Sequence, residues 1–315
     1  MAFHSFWKAV AMMEKHRTAF LSISCAGLFG ANLTFHVFSK ELFKSIYQAW
    51  DHGKPLGLSE DLQNLFHNIL HDVRVKSADR YDAIKTCTLH PISAGLPWRA
   101  KGCVVGIPYH FSDRLSGEQQ IAKIDVQLRG KKVNWTSPEG LALKDALTLS
   151  SEAQKFAIAR EIIDLQQNRP LICATVGPIC LAGSYISGVT VKQVLGLYYA
   201  PVLLRSIYNM AVVALGLMGY CLLYDTISQA FDYRTDRKTA SISPSFARGG
   251  VEFYNKVLSQ NKAFRTILGN EGEQIYASNG NILPKFRLKH PSYTSRRNFI
   301  SNILNVFHGL NFKKI

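Results

Sequence analysis

Three long stretches of this 315-residue sequence lack any Asp, Glu, Lys or Arg. They lie at 18–39, 170–191 and 206–224 and hold 22, 22 and 19 residues. A bilayer core about 30 Å thick is crossed by about 20 apolar residues in a helix. We therefore predict three transmembrane helices, at 18–38, 171–191 and 206–224. This prediction excludes an ordinary soluble globular protein.

The sequence also lacks the short motifs of common enzymatic chemistry. It has no glycine-rich phosphate loop, no Gly-x-Ser-x-Gly and no His-Glu-x-x-His. The pair His67 and His71 lacks a further metal ligand at suitable spacing, so we interpret it as a polar helix face. Despite the net charge of +15, no nucleic-acid-binding module is present. We expect no catalytic residue, no cofactor, no metal site and no nucleic-acid partner.

Cysteine is scarce outside the predicted spans. Four of the six cysteines lie inside the spans, and no Cys-x-x-Cys occurs. A copper or zinc carrier would need soft ligands close together, so we do not expect this chain to hold such a metal. The remaining two, Cys87 and Cys103, are interpreted as free thiols, with a disulfide between them as the alternative.

Basic charge is unevenly distributed and predicts the topology. The short segments 1–17 and 192–205 each carry a net charge of +2, whereas the long segments 39–170 and 225–315 carry +3 and +8. The positive-inside rule counts short loops and largely ignores long domains. We therefore expect the N-terminus and the 192–205 loop on one side of the bilayer and both long segments on the other. The +8 of the last segment argues for the reverse orientation.

The two long segments indicate an α+β fold. They lie on the same side of the membrane in this topology, so we predict one exposed domain that is split by a membrane hairpin. Gly183 and Ser187 form a small-xxx-small pair that would permit close helix contact within that hairpin, and Pro178 would kink its first helix.

Capping residues predict the helices of the exposed domain. Helix starts are expected at Ser59-Glu60-Asp61, Ser137-Pro138-Glu139 and Ser151-Glu152, and a further helix near Phe246–Leu258. Apolar positions after Ser59 recur at helical spacing. Short strands are predicted at Cys103–Pro108, Ile121–Leu128 and Lys131–Trp135, with a hairpin turn at Arg129-Gly130-Lys131. Gly249-Gly250 is predicted to be a turn before a helix, and Gly269–Pro284 to be rich in turns.

One helix carries a pattern close to a zinc-peptidase motif. In His-Glu-x-x-His two histidines bind the metal and the glutamate polarises water. Here Glu161 is kept, but Arg160 and Asp164 occupy the histidine positions. Arginine has no acceptor and cannot bind a cation. A simple intrahelical Arg160–Asp164 pair is the alternative explanation.

The order of elements extends this similarity. Integral-membrane peptidases of the M48 type place the motif before a transmembrane hairpin and a Glu-x-x-x-Asp helix after it. This sequence has Asp232 and Asp236 in the corresponding place. The resemblance implies a degenerate M48-like scaffold without its zinc site.

Longer segments resemble the transmembrane protein 177 family. They include HRTAFLSISCAGLFG at 16–30, GCVVGIP at 102–108, LTLSSEAQKFAIAREI at 147–162, RTDRKTASISPSFARGGVEFYNKVLS at 234–259 and ASNGNILPKFRLKHPSYTSRR at 277–297. The resemblance implies a mitochondrial inner-membrane protein without enzymatic activity that supports cytochrome c oxidase assembly. It implies as partners subunit II and its small inner-membrane chaperone, near the copper-delivery proteins. The family offers no catalytic motif to transfer.

The leading hypothesis is a non-enzymatic assembly or stabilising factor for a membrane subunit. Its N-terminus would lie in the matrix and its long segments in the intermembrane space. A membrane-bound M48-like metallopeptidase, or an inactive relative with another client, is the alternative from a different class. A third hypothesis is an endoplasmic-reticulum membrane protein, in which the sequon at Asn134 would be open to glycosylation. The basic N-terminus lacks a cleavable secretory pattern, which favours the mitochondrion.

Overall fold

A computed structural model of the chain describes residues 15–51, 53–111, 127–128 and 131–312. These residues are mostly helical with a small mixed sheet. They divide into two compact units. Unit 1 contains the described residues up to Phe35 together with Arg169–Ser228, and unit 2 contains His36–Asn168 and Gln229–Ile315.

Unit 1 is built from long helices. Helix α1 spans Arg17–Val37, and its last residues belong to unit 2. Two later helices of the described chain are long and apolar enough to cross a membrane: Arg169–Val194 and Val202–Ala240. They contain the second and third predicted spans, and α1 coincides with the first. A short 3-10 turn at Leu197–Tyr199 occupies part of the predicted 192–205 loop.

The two apolar helices contact each other through small residues, but not through the predicted pair. A Cβ built on Gly183 would meet nothing within 4 Å. On Gly188 it would lie 3.0 Å from Val212, and on Gly216 it would lie 2.3 Å from the Ser184 hydroxyl. The contact face is therefore displaced by one residue along the helix, and the prediction for Gly183 and Ser187 was wrong. Pro178 lies inside Arg169–Val194, which continues through it as a helix.

Unit 2 contains the mixed sheet. Its strand order is β3-β5-β4, with β5 parallel to β3 and antiparallel to β4. Strand β5 is buried along its whole length, as expected for the central strand of a sheet covered on both faces. The strands of the described chain are β1 (Trp50–Asp51), β2 (Lys54–Pro55), β3 (Tyr81–Thr86), β4 (Ile92–Gly95), β5 (Cys103–Pro108), β6 (Gln127–Leu128) and β7 (Lys131–Lys132).

Helices cover this sheet and form the main core. In chain order the helices of the described residues after α1 are α2 (Ser39–Tyr47), α3 (Glu60–Asp72), α4 (Pro138–Leu147), α5 (Ser151–Gln166), α6 (Arg169–Val194), α7 (Val202–Ala240), α8 (Pro244–Leu268), α9 (Asn270–Ile275) and α10 (Tyr293–Phe312). Helix α8 packs against α4, α5 and α10. The core joins residues far apart in sequence, among them Ile107, Phe156 and Ile300.

Three helices of unit 2 begin at the predicted serine positions, and two of them carry a serine that forms a capping hydrogen bond. The Ser137 hydroxyl accepts a hydrogen bond from the Gly140 N–H, with Pro138 in the first turn, and the Ser150 hydroxyl accepts one from Ala153. Helix α3 begins after Ser59 and buries four of the predicted apolar positions. These three predictions are confirmed, except that the cap of α5 is Ser150 rather than Ser151.

Other local predictions need correction. Gly249 and Gly250 are not a turn, because they lie inside α8, where a Cβ on Gly249 would lie 2.2 Å from the Glu152 carbonyl oxygen. These glycines permit close packing of α8 on α5. The turn-rich stretch 269–284 contains α9. The strand predicted from Lys131 ends at Lys132.

Three predictions fall partly on residues that the structure does not describe. Residues 1–14 of the basic N-terminal segment, 121–126 of a predicted strand and 129–130 of a predicted turn lie outside the described chain. The residues on either side of that turn, β6 and β7, pair antiparallel.

Candidate functional site

Arg160 is the centre of a buried ionic cluster in unit 2. It lies on α5, and its side chain is 17% exposed. Its Nη1 contacts a Glu161 carboxylate oxygen at 2.7 Å, its Nε contacts Asp236 at 3.2 Å, and its Nη2 contacts Asp232 at 3.4 Å. The two aspartates are one turn apart on α7, and both are buried. The structure thus brings together Arg160, Glu161, Asp232 and Asp236, which are four of the five residues that the motif comparison selected.

A second arginine closes the cluster from α10. Arg296 donates through Nε and Nη2 to the two oxygens of Asp236, both at 2.7 Å. Asp236 also accepts a hydrogen bond from the Tyr254 hydroxyl at 2.9 Å, and the Arg296 guanidinium lies 4.8 Å from the centre of the Tyr254 ring. Such a bidentate pair is among the strongest hydrogen-bonded ion pairs in proteins. Asp236 therefore ties together α5, α7, α8 and α10.

The other carboxylates of the motif also have hydrogen-bond partners within the protein. Ser93 on β4 donates to the second oxygen of Glu161 at 2.8 Å. Asp232 contacts the imidazole Nδ1 of the half-exposed His290 at 2.7 Å. Asp164 accepts a hydrogen bond from Thr235 on α7, and the partners of Arg160 extend to α7, beyond a simple intrahelical Arg160–Asp164 pair.

Electrostatics keep both guanidinium groups charged. Burial alone would lower the pKa of Arg160, but the Glu161, Asp236 and Asp232 carboxylates raise it well above its usual range. Burial likewise opposes the charged form of Arg296, and the Asp236 carboxylate raises its pKa above the usual value. Burial raises the pKa of the Tyr254 hydroxyl well above 10, so it stays a neutral donor. Two permanent cations thus face three carboxylates.

The carboxylates of this cluster are engaged by arginine and serine side chains, which does not favour metal binding or acid–base catalysis. Zinc catalysis needs three protein ligands and an open position for water. Within the described residues, no group of three His, Cys, Asp or Glu side chains could hold a metal ion. Glu161 has one oxygen on Arg160 and the other on Ser93. The cluster can neutralise buried charge and hold four helices and a strand in register.

Sequence reasoning found part of the cluster and missed part. The four-residue spacings selected Arg160, Asp232 and Asp236. Arg296 and Tyr254 were missed, because no spacing links α8 and α10 to the motif, although both lie in segments that resemble the family. His67 and His71 are exposed on α3, as expected for a polar helix face.

The two cysteines outside the predicted spans differ in environment. Both are free thiols, as interpreted; Cys87 is exposed and Cys103 is buried on β5. Burial raises the pKa of the Cys103 thiol to about 12. A thiol held in its neutral form is a poor nucleophile and metal ligand.

Two histidines of unit 2 are held neutral. Burial lowers the pKa of His110 to about 3 with a smaller effect of His90, and it lowers the pKa of His90 to about 4, helped by Arg160. His110 is 6% exposed and packs edge-on against Tyr109 and Phe111. These residues carried no sequence signal, because isolated histidines have no characteristic spacing.

Comparisons with known proteins agree on one family. A family model described as transmembrane protein 177 matches residues 118–284. The chain is 44% identical over 300 residues to transmembrane protein 177 of Xenopus laevis, covering 95% of this chain and 97% of the relative. It is 40% identical to the Danio rerio protein over 301 residues (95% and 97% covered) and 40% identical to the Homo sapiens protein over 306 residues (96% of each). No solved structure matches the chain significantly.

Proposed function

The chain belongs to the transmembrane protein 177 family, and from that premise we propose that it is a mitochondrial inner-membrane protein without enzymatic activity. In this proposal it supports the biogenesis of cytochrome c oxidase subunit II. Its partners are that subunit and its small inner-membrane chaperone, with the copper-delivery proteins nearby. The family resemblance of five separate segments supports these partners.

The apolar helices support the membrane part of the proposal. Helices α6 and α7 meet the length and composition of membrane spans, and only 17% and 6% of the residues in their most apolar windows are buried in the structure. A soluble core helix would bury them. We include α1 as a third span because its 21 residues carry no charge after Arg17. With three spans, segments 39–170 and 225–315 lie on the same side of the bilayer.

The observation that carries the non-enzymatic part is the position of the Arg160 guanidinium. It lies among Glu161, Asp232 and Asp236, where a peptidase of the M48 type would hold a metal cation. A permanent organic cation there neutralises the carboxylates and repels a second cation. The arrangement supports a degenerate peptidase scaffold in which the ionic centre has become structural.

The role is tested with the full-length tagged protein in cells that lack the endogenous copy. Purification from mitochondria in mild detergent should recover subunit II and its chaperone, and an unrelated tagged inner-membrane protein should not. Glu161→Gln should leave both recovery and subunit II level unchanged, because an amide keeps acceptor capacity toward Arg160. Arg160→Ala should lower the abundance of the protein, because it leaves buried carboxylates unpaired.

The peptidase alternative predicts the opposite results. Stoichiometric zinc in the purified protein, or loss of subunit II with Glu161→Gln at normal protein level, would restore it. Recovery of a different client with an unchanged ionic cluster would keep the degenerate scaffold and replace the proposed partner.

Orientation and compartment have their own test. Protease added to mitoplasts should remove a C-terminal tag while matrix markers stay intact, and a protected tag would reverse the orientation. A glycosidase-sensitive mass shift that Asn134→Gln abolishes would move the protein to the endoplasmic reticulum. Asn134 is exposed and accepts hydrogen bonds from Thr136, so the sequon is accessible to such a modification.

A further inference from the structure

Unit 1 contains an elongated, mostly apolar cleft of about 630 Å³ between α1, α6 and α7. On α6 it extends from Gly177 to Lys192, which is about 22 Å at 1.5 Å per residue. Its volume falls within the usual range for ligand pockets, about 300–1,000 Å³. Gly177 leaves space in it, since a Cβ at this position would meet only the Tyr220 ring at 4.0 Å.

One end of the cleft is basic and aromatic. The Lys192 ammonium donates to the side-chain oxygen of Asn209 at 2.7 Å and lies between the rings of Tyr198 and Tyr208, at 5.6 and 5.7 Å from their centres. Lysine and tyrosine are residues that anchor at the lipid headgroup level. The apolar body and the charged end therefore match the two parts of a phospholipid.

The loop that joins α6 to α7 and the adjacent turns of both helices supply no acid at this end. No Asp or Glu occurs between Asp164 and Asp225. Arg205 lies one turn before Asn209 on the same face of α7, and its Nε has no hydrogen-bond partner among the described residues. Two basic side chains close to a headgroup position favour an anion, since each contributes about 1 kcal/mol near a negatively charged lipid surface.

We propose that this cleft binds one anionic phospholipid, with an acyl chain along α6 and the phosphate at Lys192. A zwitterionic lipid would place a second cation near Lys192. The inference requires only that α6 and α7 lie in a membrane, and it does not depend on the proposed role in oxidase assembly.

The test uses native mass spectrometry of the full-length protein, delipidated in mild detergent and titrated with dioleoyl phosphatidylglycerol or dioleoyl phosphatidylcholine. One phosphatidylglycerol should bind at least about fivefold more tightly than phosphatidylcholine, the factor that corresponds to about 1 kcal/mol. Lys192→Gln should lower this preference severalfold, with Arg205 retaining the remainder. The matched control is Arg17→Gln, which removes a basic residue that does not line the cleft, and it should keep the preference.

A second pair of variants tests the cleft itself. Gly177→Leu places a side chain in the cleft and should lower the affinity for phosphatidylglycerol at least about fivefold. Gly183→Leu makes the same change on α6 outside the cleft, where a Cβ meets nothing within 4 Å, and should bind like the unchanged protein. Equal affinity for both lipids, or equal behaviour within either pair of variants, would overturn the proposal. Unchanged unfolding temperatures in detergent would show that the variants are folded.

Discussion

The two units use apolar residues in opposite ways. In unit 2, α5 buries nine of its 16 residues against other parts of the chain. In the most apolar windows of α6 and α7, only 17% and 6% of the residues are buried. Ala, Ile and Leu occur in all three helices, so for these apolar residues the difference lies in the environment that covers them. A protein core covers the first set, and we assign the second set to lipid.

Polar side chains show the same contrast. In unit 1 several of them bond to the backbone of their own helix, as Asn32, Thr175 and Thr190 do. In unit 2, Arg160 and Arg296 reach Asp236 across 76 and 60 residues of sequence. Helices that satisfy their own polar groups can form one at a time, whereas the ionic cluster exists only when distant segments have met.

The largest effect is expected at the centre of the cluster. Asp236→Ala removes the partner of two buried guanidinium groups and should lower the free energy of unfolding by about 3–5 kcal/mol. Thermal unfolding in detergent or protein abundance in cells measures this loss. Asp145→Ala is the control: this carboxylate is 76% exposed and pairs with Lys256 on the surface, so it should cost less than about 1 kcal/mol. Equal losses of unfolding free energy in the two variants would contradict a central role of the ionic cluster in the stability of unit 2.

Packing between helices in unit 2 should give the next effect. Gly249→Ala forces a methyl group against the Glu152 carbonyl oxygen and should cost about 1–3 kcal/mol, because α8 has to move away from α5. Gly309→Ala on α10 meets nothing within 4 Å and should instead stabilise the helix by up to about 1 kcal/mol. Opposite signs in thermal unfolding are expected, and a loss at both sites would contradict the packing explanation.

Acid should weaken unit 2 through its buried histidines. The pKa of His110 is about 3 in the folded protein and about 6.5 when unfolded, so the unfolded state binds more protons between these values. The neutral His110 makes its full contribution to the free energy of unfolding above pH 6.5. Below that pH, down to about pH 3, this contribution falls by up to about 1.4 kcal/mol per pH unit. His110→Gln should therefore reduce the fall in unfolding temperature between pH 7 and 5. His67→Gln, on the exposed face of α3, should leave that fall unchanged, and a similar reduction in both variants would reject the assignment.

The smallest effect is expected on the exposed face of unit 1. Leu215→Ala on α7 should change the free energy of unfolding by less than about 0.5 kcal/mol, because this side chain is 66% exposed. The unfolding temperature in detergent measures this change. Leu143→Ala on α4 should cost about 2–5 kcal/mol, because that leucine is fully buried. A large loss at Leu215 would indicate that another protein chain, and not lipid, covers this face.

Sequence reasoning succeeded where the determining signal is local. Ser137 and Ser150 cap the starts of α4 and α5 by accepting a hydrogen bond from the helix turn that follows them, and α3 begins directly after Ser59. The absence of charge predicted the long helices in the same direct way. The aspartates of α7 were selected because four residues separate them, a spacing that places both on one helix face.

The features that the sequence did not predict depend on contacts between segments that are far apart in the chain. Strands β3 and β4 were not predicted, because a short strand is defined mainly by pairing, here with β5. Gly249 and Gly250 have the composition of a turn, and only the backbone of α5 explains why they lie in a helix. Arg296 joins the ionic cluster from α10 without any pattern that links it to α5.

The position of α10 in the chain constrains the order of events during synthesis. Arg296 and Ile300 complete the ionic cluster and the core, yet they follow the membrane hairpin by about 70 residues. While the ribosome is still making that stretch, Asp236 lacks its bidentate partner and the face of α5 that later becomes core is open to solvent. The first half of unit 2 therefore cannot complete its core and ionic cluster before α7 and α10 have been synthesised. We expect the exposed apolar surface to be open to chaperones and proteases during that interval, and a nonsense mutation before residue 296 should leave no stable product.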